Sequence, residues 1–143
     1  VLEEARIIVE PAAREAGIAV TWQVPAGLPL VQGDHLSLLQ VFLNLARNSQ
    51  RALEEAARKD LAVEVSCGGE MVTVRFRDTG GGVRAPERLF QPFQAGAEEA
   101  GLGLYVSRAM LRSCGGDLRY EPQPGGACFV AELAAADAQE YPA

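Results

Sequence analysis

The sequence has one histidine, His35, and three cysteines, Cys67, Cys114 and Cys128, with no C-x-x-C pair among them. An odd number of widely spaced cysteines is no disulfide framework; it reads as three reduced, buried thiols in a cytosolic domain. Basic residues are outnumbered: 13 Lys and Arg stand against 19 Asp and Glu, a net charge of −6. That balance argues against nucleic acid as a partner, since a phosphate backbone calls for a basic face. No apolar run approaches the roughly 20 residues that span a bilayer, and no signal-peptide pattern is present. The glycine-rich stretches lack the Gly-Lys-Ser/Thr of a P-loop, and no βαβ pattern surrounds Gly101-x-Gly103, so a Rossmann fingerprint fails as well.

What is present suffices for a core. The chain has 143 residues, 48% hydrophobic and 22% charged, the profile of one globular domain. It opens on Val1 rather than Met, which reads as a piece of a longer protein.

Residues 1–16 carry apolar side chains at three-to-four spacing and predict a helix ending near Gly17. Ile18 to Val24 alternates and predicts a strand. Asp34 caps a long helix running to about Arg58, with Leu38, Phe42, Leu45, Ala52 and Ala56 on its core face. Leu61–Ser66 and Val72–Arg77 form a hairpin about Cys67–Glu70. Residues 79–100 hold no sustained period, the mark of a functional loop. A helix follows from about Leu102 to Ser113, stopped by Gly115 and Gly116. Asp117–Glu121 and Ala127–Leu133 close a last hairpin, and the domain spans 1–134 with a frayed tail over 135–143. The fold class is α+β: a two-layer sandwich, one mixed and mainly antiparallel sheet covered by three helices.

Three features carry chemistry. On the long helix, Gln40, Asn44, Asn48 and Arg51 recur at four, four and three positions, and the last three share roughly 60° of arc. Amides half buried among Leu39, Phe42 and Leu45 must find partners or cost about 1–3 kcal/mol each. A core amide satisfied by backbone is the bland reading of one Asn; two Asn and an Arg on one line are better explained by a ligand. Neutral carbonyl oxygens suit Mg²⁺ that leans on a substrate's phosphates, and Arg51, one turn on from Asn48, is within reach of those phosphates. Asp78 ends a strand before Gly80 and Gly82, where the backbone can approach a flat ligand. Its carboxylate can accept from the exocyclic amine of adenine, whereas guanine would set acceptor against acceptor; the bland reading is a turn cap. Gly101, Leu102, Gly103 and Leu104 open a helix whose first-turn amides are a natural phosphate seat.

In this order the residues resemble the catalytic and ATP-binding domain of a bacterial sensor histidine kinase. That domain belongs to the superfamily shared with DNA gyrase, heat-shock chaperones and mismatch-repair ATPases. Gln40-Val-Phe-Leu-Asn44-Leu-Ala-Arg-Asn48-Ser49 resembles the asparagine box, Asp78-Thr-Gly-Gly-Gly82 the first glycine box, Leu89-Phe90-Gln-Pro-Phe93 the phenylalanine box, and Gly101-Leu-Gly-Leu104 the second glycine box. The resemblance implies that Asn48 holds Mg²⁺, that Asn44 and Arg51 face the phosphates of ATP, and that Asp78 binds adenine. It implies a lid at residues 94–100. It also implies a histidine-bearing dimerisation domain of the same protein and a response regulator as partners, a homodimeric full-length protein and a monomeric fragment. The implied location is cytoplasmic, with anchoring of the full protein left open.

The superfamily's ATPases carry a Glu four residues before the metal-binding Asn, as base for water. Here that position is Asn44, which cannot take a proton near neutral pH, as a kinase that must protect ATP requires. His35 lacks the context of a phosphoacceptor and reads as an ordinary surface or half-buried histidine. Three departures stand against the resemblance. Glu98 and Glu99 make the lid acidic, Glu99 sits where relatives have another glycine, and Ala127 replaces a common Thr. Two other readings therefore stay open: an ATP-driven conformational machine, which Asn44 disfavours, and a degenerate nucleotide-binding module that serves as a protein-interaction surface.

Overall fold

The computed structural model describes residues 1–82, 90, 91 and 100–136. Element order is α1 (Leu2–Glu15), β1 (Ala19–Gln23), α2 (His35–Leu53), β2 (Asp60–Gly68), β3 (Met71–Asp78), α3 (Ala100–Ser113), β4 (Asp117–Gln123) and β5 (Gly126–Ala134). The five strands form one sheet in the order β1-β2-β3-β5-β4. β1 pairs parallel to β2, because α2 carries the chain back between them, and the other pairings are antiparallel. This is the expected mixed sheet under three helices.

Period-two patterning decides which face is covered. Val72, Val74, Phe76 and Asp78 alternate inward on β3, as Leu61, Val63 and Val65 do on β2. They meet Val41, Phe42, Leu45 and Leu53 of α2, with the Phe42 and Phe76 rings stacked at 6.3 Å. Leu104 and Leu111 bring α3 onto the same core. The opposite face of the sheet carries a lattice of ion pairs: Arg77 with Glu64, Arg75 with Glu121, and Arg119 with both Glu121 and Glu132. Such solvent-facing pairs contribute about 0–1 kcal/mol each and keep that face soluble more than they stabilise it.

Asp34 caps α2 as expected, its Oδ2 accepting from the Ser37 amide at 3.0 Å and from Ser37 Oγ at 3.1 Å. The helix nevertheless stops at Leu53, five residues before Arg58, and Ala56 lies in the turn beyond it. The thiols also depart from expectation. All three are free, but Cys67 is exposed and Cys114 half buried, so Cys128 alone of them is buried. Burial pushes the Cys128 thiol up to about 11. At the C-terminal end, the Ala135 amide donates to the Glu70 carbonyl and the Ala136 amide to that of Leu30; residues 137–143 of the expected frayed tail lie outside the described residues. Among the described residues no helix is long and apolar enough to cross a membrane.

Candidate nucleotide site

α2, the end of β3 and the head of α3 converge at one end of the sandwich. Asp78 is the inward residue at the last register position of β3, opposite Ala127 of β5. It is 5% exposed. Oδ1 accepts from the Gly80 amide at 2.9 Å, so the turn-cap reading is correct for one oxygen. Oδ2 is buried and has no hydrogen-bond partner. Burial pushes the carboxyl above the usual aspartate range, and the Gly80 and Ala127 amides offset this in part. A buried carboxylate oxygen without a donor costs about 1–3 kcal/mol or more.

The glycines after Asp78 have distinct jobs. A Cβ on Gly80 would lie 2.5 Å from the Ala52 carbonyl oxygen, so this glycine makes room for the end of α2 rather than for a flat ligand. Gly82 has φ of +79°, which an L side chain adopts only with strain. Gly80→Ala is expected to cost about 1–3 kcal/mol by overpacking against backbone, read as a lower urea midpoint in Trp22 fluorescence. An unchanged midpoint would show that α2 can shift freely at this contact.

Across from Asp78, the polar stripe of α2 faces α3. Asn44 Nδ2 donates to Ser107 Oγ at 3.2 Å, and Gln40 Nε2 donates to Asn44 Oδ1 at 3.0 Å. Gly103 stands beside the same amide, since a Cβ there would be 3.8 Å from Asn44 Cγ. The asparagine box and the second glycine box therefore touch. Asn48 is half buried one turn further on. Arg51 lines a cavity of about 600 Å³ together with Thr79, Gly80 and Gly81, which puts it against the first glycine box.

α3 begins at Ala100, two residues before the expected start. Its first-turn amides, which have no partner within the helix, therefore include those of Gly101, Leu102 and Gly103, while Leu104 falls in the second turn. The Leu104 side chain is 5% exposed and packs in the core, so Leu104 serves packing. Phe90 of the phenylalanine box lies against the Arg108 guanidinium at 4.4 Å, and Arg108 is in turn held by Asp117 at 3.3 Å. Leu89, Pro92 and Phe93 of that box, and the expected lid apart from Ala100, lie outside the described residues.

Sequence reasoning did not single out Ser107, which is fully buried and accepts from Asn44. The available signal was a small polar residue one turn after Gly103, on the apolar stripe between Leu104 and Leu111. His35 is exposed at the head of α2 and bonds Glu4 of α1 through Nε2 at 2.8 Å. Thirteen residues separate it from Asn48, roughly 20 Å along the helix axis. It is a surface histidine, remote from the site.

Residues 33–137 match the family model described as "Histidine kinase-, DNA gyrase B-, and HSP90-like ATPase". The chain is 34% identical over 131 residues to the C4-dicarboxylate transport sensor protein DctS of Rhodobacter capsulatus, covering 88% of this chain and 20% of that protein. It is 33% identical over 141 residues to the sensor protein FixL of Bradyrhizobium diazoefficiens, covering 95% and 28%. The chain thus spans between a fifth and a third of the length of these two relatives. Among solved structures, the catalytic domain of histidine kinase ThkA superposes with a TM-score of 0.81 at 23% identity, over 93% of this chain and 89% of that one, a likeness of fold. Full-length ShkA, solved in complex with AMPPNP, superposes with a TM-score of 0.79 at 31% identity, over 96% of this chain and 30% of that one. The two relatives by sequence named above are sensor proteins, and the chain belongs to the histidine kinase, DNA gyrase B and HSP90-like ATPase family.

Proposed function

We propose that this domain is the ATP-binding catalytic part of a sensor histidine kinase. It presents Mg²⁺-ATP so that the γ-phosphoryl group passes to a histidine on a separate helical dimerisation domain of the same protein. The partners of the whole protein are then that domain, a second copy of the chain and a response regulator. The single observation that carries the reading is Asp78: a buried carboxylate with one oxygen capped by the Gly80 amide and the other without a donor. The exocyclic amine of adenine is the donor of the right kind.

In this reading Asn48 supplies an amide oxygen to Mg²⁺, and Asn44 and Arg51 face the phosphates. Gly82 shapes the loop after Asp78, and the amides of Gly101, Leu102 and Gly103 seat phosphate at the positive end of α3. Gly80 contributes by packing and Leu104 through the core. Among the described residues no group of three or more His, Cys, Asp or Glu could hold a metal, so a hard cation is expected to arrive with the triphosphate. When bound, that cation would neutralise charge on the phosphates. Asn44 supplies no base for water, which favours a kinase over a hydrolase. Gln40 holds its Oδ1 and Ser107 takes one Nδ2 hydrogen, which leaves the other for a phosphate oxygen.

Calorimetry with Mg²⁺-ATP and Mg²⁺-GTP tests the reading. ATP is expected to bind about 100-fold or more tightly than GTP, because guanine sets its carbonyl oxygen against Asp78. Comparable affinities, or no binding of either, would leave the interaction-module reading standing instead.

A further inference from the structure

We propose that Ser49 is a second base-recognition residue of this site, its hydroxyl donating to the purine N1 beside the amine that Asp78 accepts. This rests on the nucleotide reading above and goes beyond it. Among the described residues, three polar or charged side chains are buried: Ser49, Asp78 and Ser107. Ser107 is occupied by Asn44 and Asp78 keeps Oδ1 on the Gly80 amide, but Ser49 Oγ, on a fully buried residue, has no hydrogen-bond partner. Ser49 and Asp78 thus hold the two orphaned oxygens among these three residues.

The packing of α2 on β3 brings them to one level. Phe42 stacks on Phe76 at one end of this contact, and the Ala52 carbonyl closes on Gly80 at the other. Phe42 and Ala52 are about 15 Å apart along a helix axis, and Phe76 and Gly80 about 13 Å along an extended chain. The midpoint on the strand side is Asp78. The midpoint on the buried stripe of α2 falls between Ala46 and Ser49. Ala46 is a small buried residue, and Ser49 brings a hydroxyl. Ala127, the register partner of Asp78, brings a methyl group.

The chemistry is complementary on both atoms. Adenine offers, side by side, an N–H donor at the exocyclic amine and an acceptor at N1. Asp78 Oδ2 is an acceptor only, and a serine hydroxyl is a donor with acceptor capacity to spare. Guanine reverses both positions, with a carbonyl oxygen and an N1–H. Asp78 rejects the first; a hydroxyl can also accept from an N1–H, so discrimination against guanine rests on Asp78 while Ser49 adds affinity for adenine.

The test is Ser49→Ala, titrated with ADP in EDTA so that no metal enters, beside 1-deaza-ADP, in which C–H replaces N1. The parent is expected to bind ADP about fivefold more tightly than the variant does, the usual worth of one hydrogen bond. The parent should lose about the same factor on 1-deaza-ADP, and the variant should lose almost nothing further. Urea unfolding of the nucleotide-free variant is expected to be unchanged or shifted to higher urea, because a buried unsatisfied hydroxyl is removed. A purely structural role would move stability down and leave the analogue cycle additive. If ADP binds and both proteins lose equally on 1-deaza-ADP, Ser49 is not the contact and the nucleotide reading survives. If ADP does not bind the parent, both fail.

Discussion

Asp78→Asn is expected to weaken adenine-nucleotide binding by about 100-fold or more, while the nucleotide-free domain unfolds no earlier than the parent. The substitution is nearly isosteric, and the amide oxygen can keep the Gly80 N–H that Oδ1 now accepts. The NH₂ group then takes the place of Oδ2 and sets donor against donor at the adenine amine. The stability half follows from the raised carboxyl pKa. A group whose folded pKa lies above its unfolded value favours folding below the unfolded value, and that advantage is lost as pH rises through the folded pKa. At neutral pH the ionised Asp78 is therefore a net cost to the empty fold, and a neutral amide removes it. Binding has the opposite sign. Affinity for ADP should fall as pH drops through the raised pKa, and the variant should show no such step. Calorimetry across pH 4.5–7.5 with a parallel thermal melt checks both halves. A variant that loses stability and affinity together would make Asp78 a fold residue.

Asp78 was legible as an acidic residue ending a strand before Gly80 and Gly82, and the structure adds that it also breaks an apolar pattern. Val72, Val74 and Phe76 set an inward alternation on β3, and the next inward position is acidic, which a core does not tolerate without reason. The polar stripe of α2 was legible as a break in the apolar pattern at a period of 3.6. The end of α2 was not. Leu53-Glu-Glu-Ala-Ala-Arg58 has helix-forming composition throughout, and local propensity extends the helix across it. The chain turns instead, because β2 must start at Asp60 beside β1 and Gly80 seats against the Ala52 carbonyl. Contacts across elements were equally hidden: nothing near Ser107 in sequence names Asn44, 63 positions away. Cys67 and Cys128 show the same limit. Cys67 sits at the exposed end of β2. Cys128 points to the charged face of the sheet, yet as a residue of a central strand flanked by Arg77 and Glu121 it is buried all the same.

The second large effect is expected in phosphotransfer. Asn48→Ala should slow transfer from ATP to the parent protein's histidine-bearing helical domain, supplied as a separate chain, by roughly 100-fold. Binding of ADP without metal should change by no more than about threefold, because one amide oxygen on a half-buried turn of α2 contributes little to the base or the ribose. The split between the two readouts separates a metal-positioning role from a fold defect, which would lower both. The helical domain is needed because His35, roughly 20 Å along α2 from Asn48, cannot receive the phosphoryl group in the same molecule. The domain alone with Mg²⁺-ATP should acquire no label and, with Asn44 where a hydrolase places its base, should turn over ATP at a marginal rate. Transfer between separate chains will itself be slow, since a tether that supplies effective concentration is missing. Radiolabelled ATP and acid-lability of the product provide the assay. Robust acid-labile label on His35 in the isolated domain would overturn this assignment. Equal transfer by parent and Asn48→Ala would move the metal to another ligand.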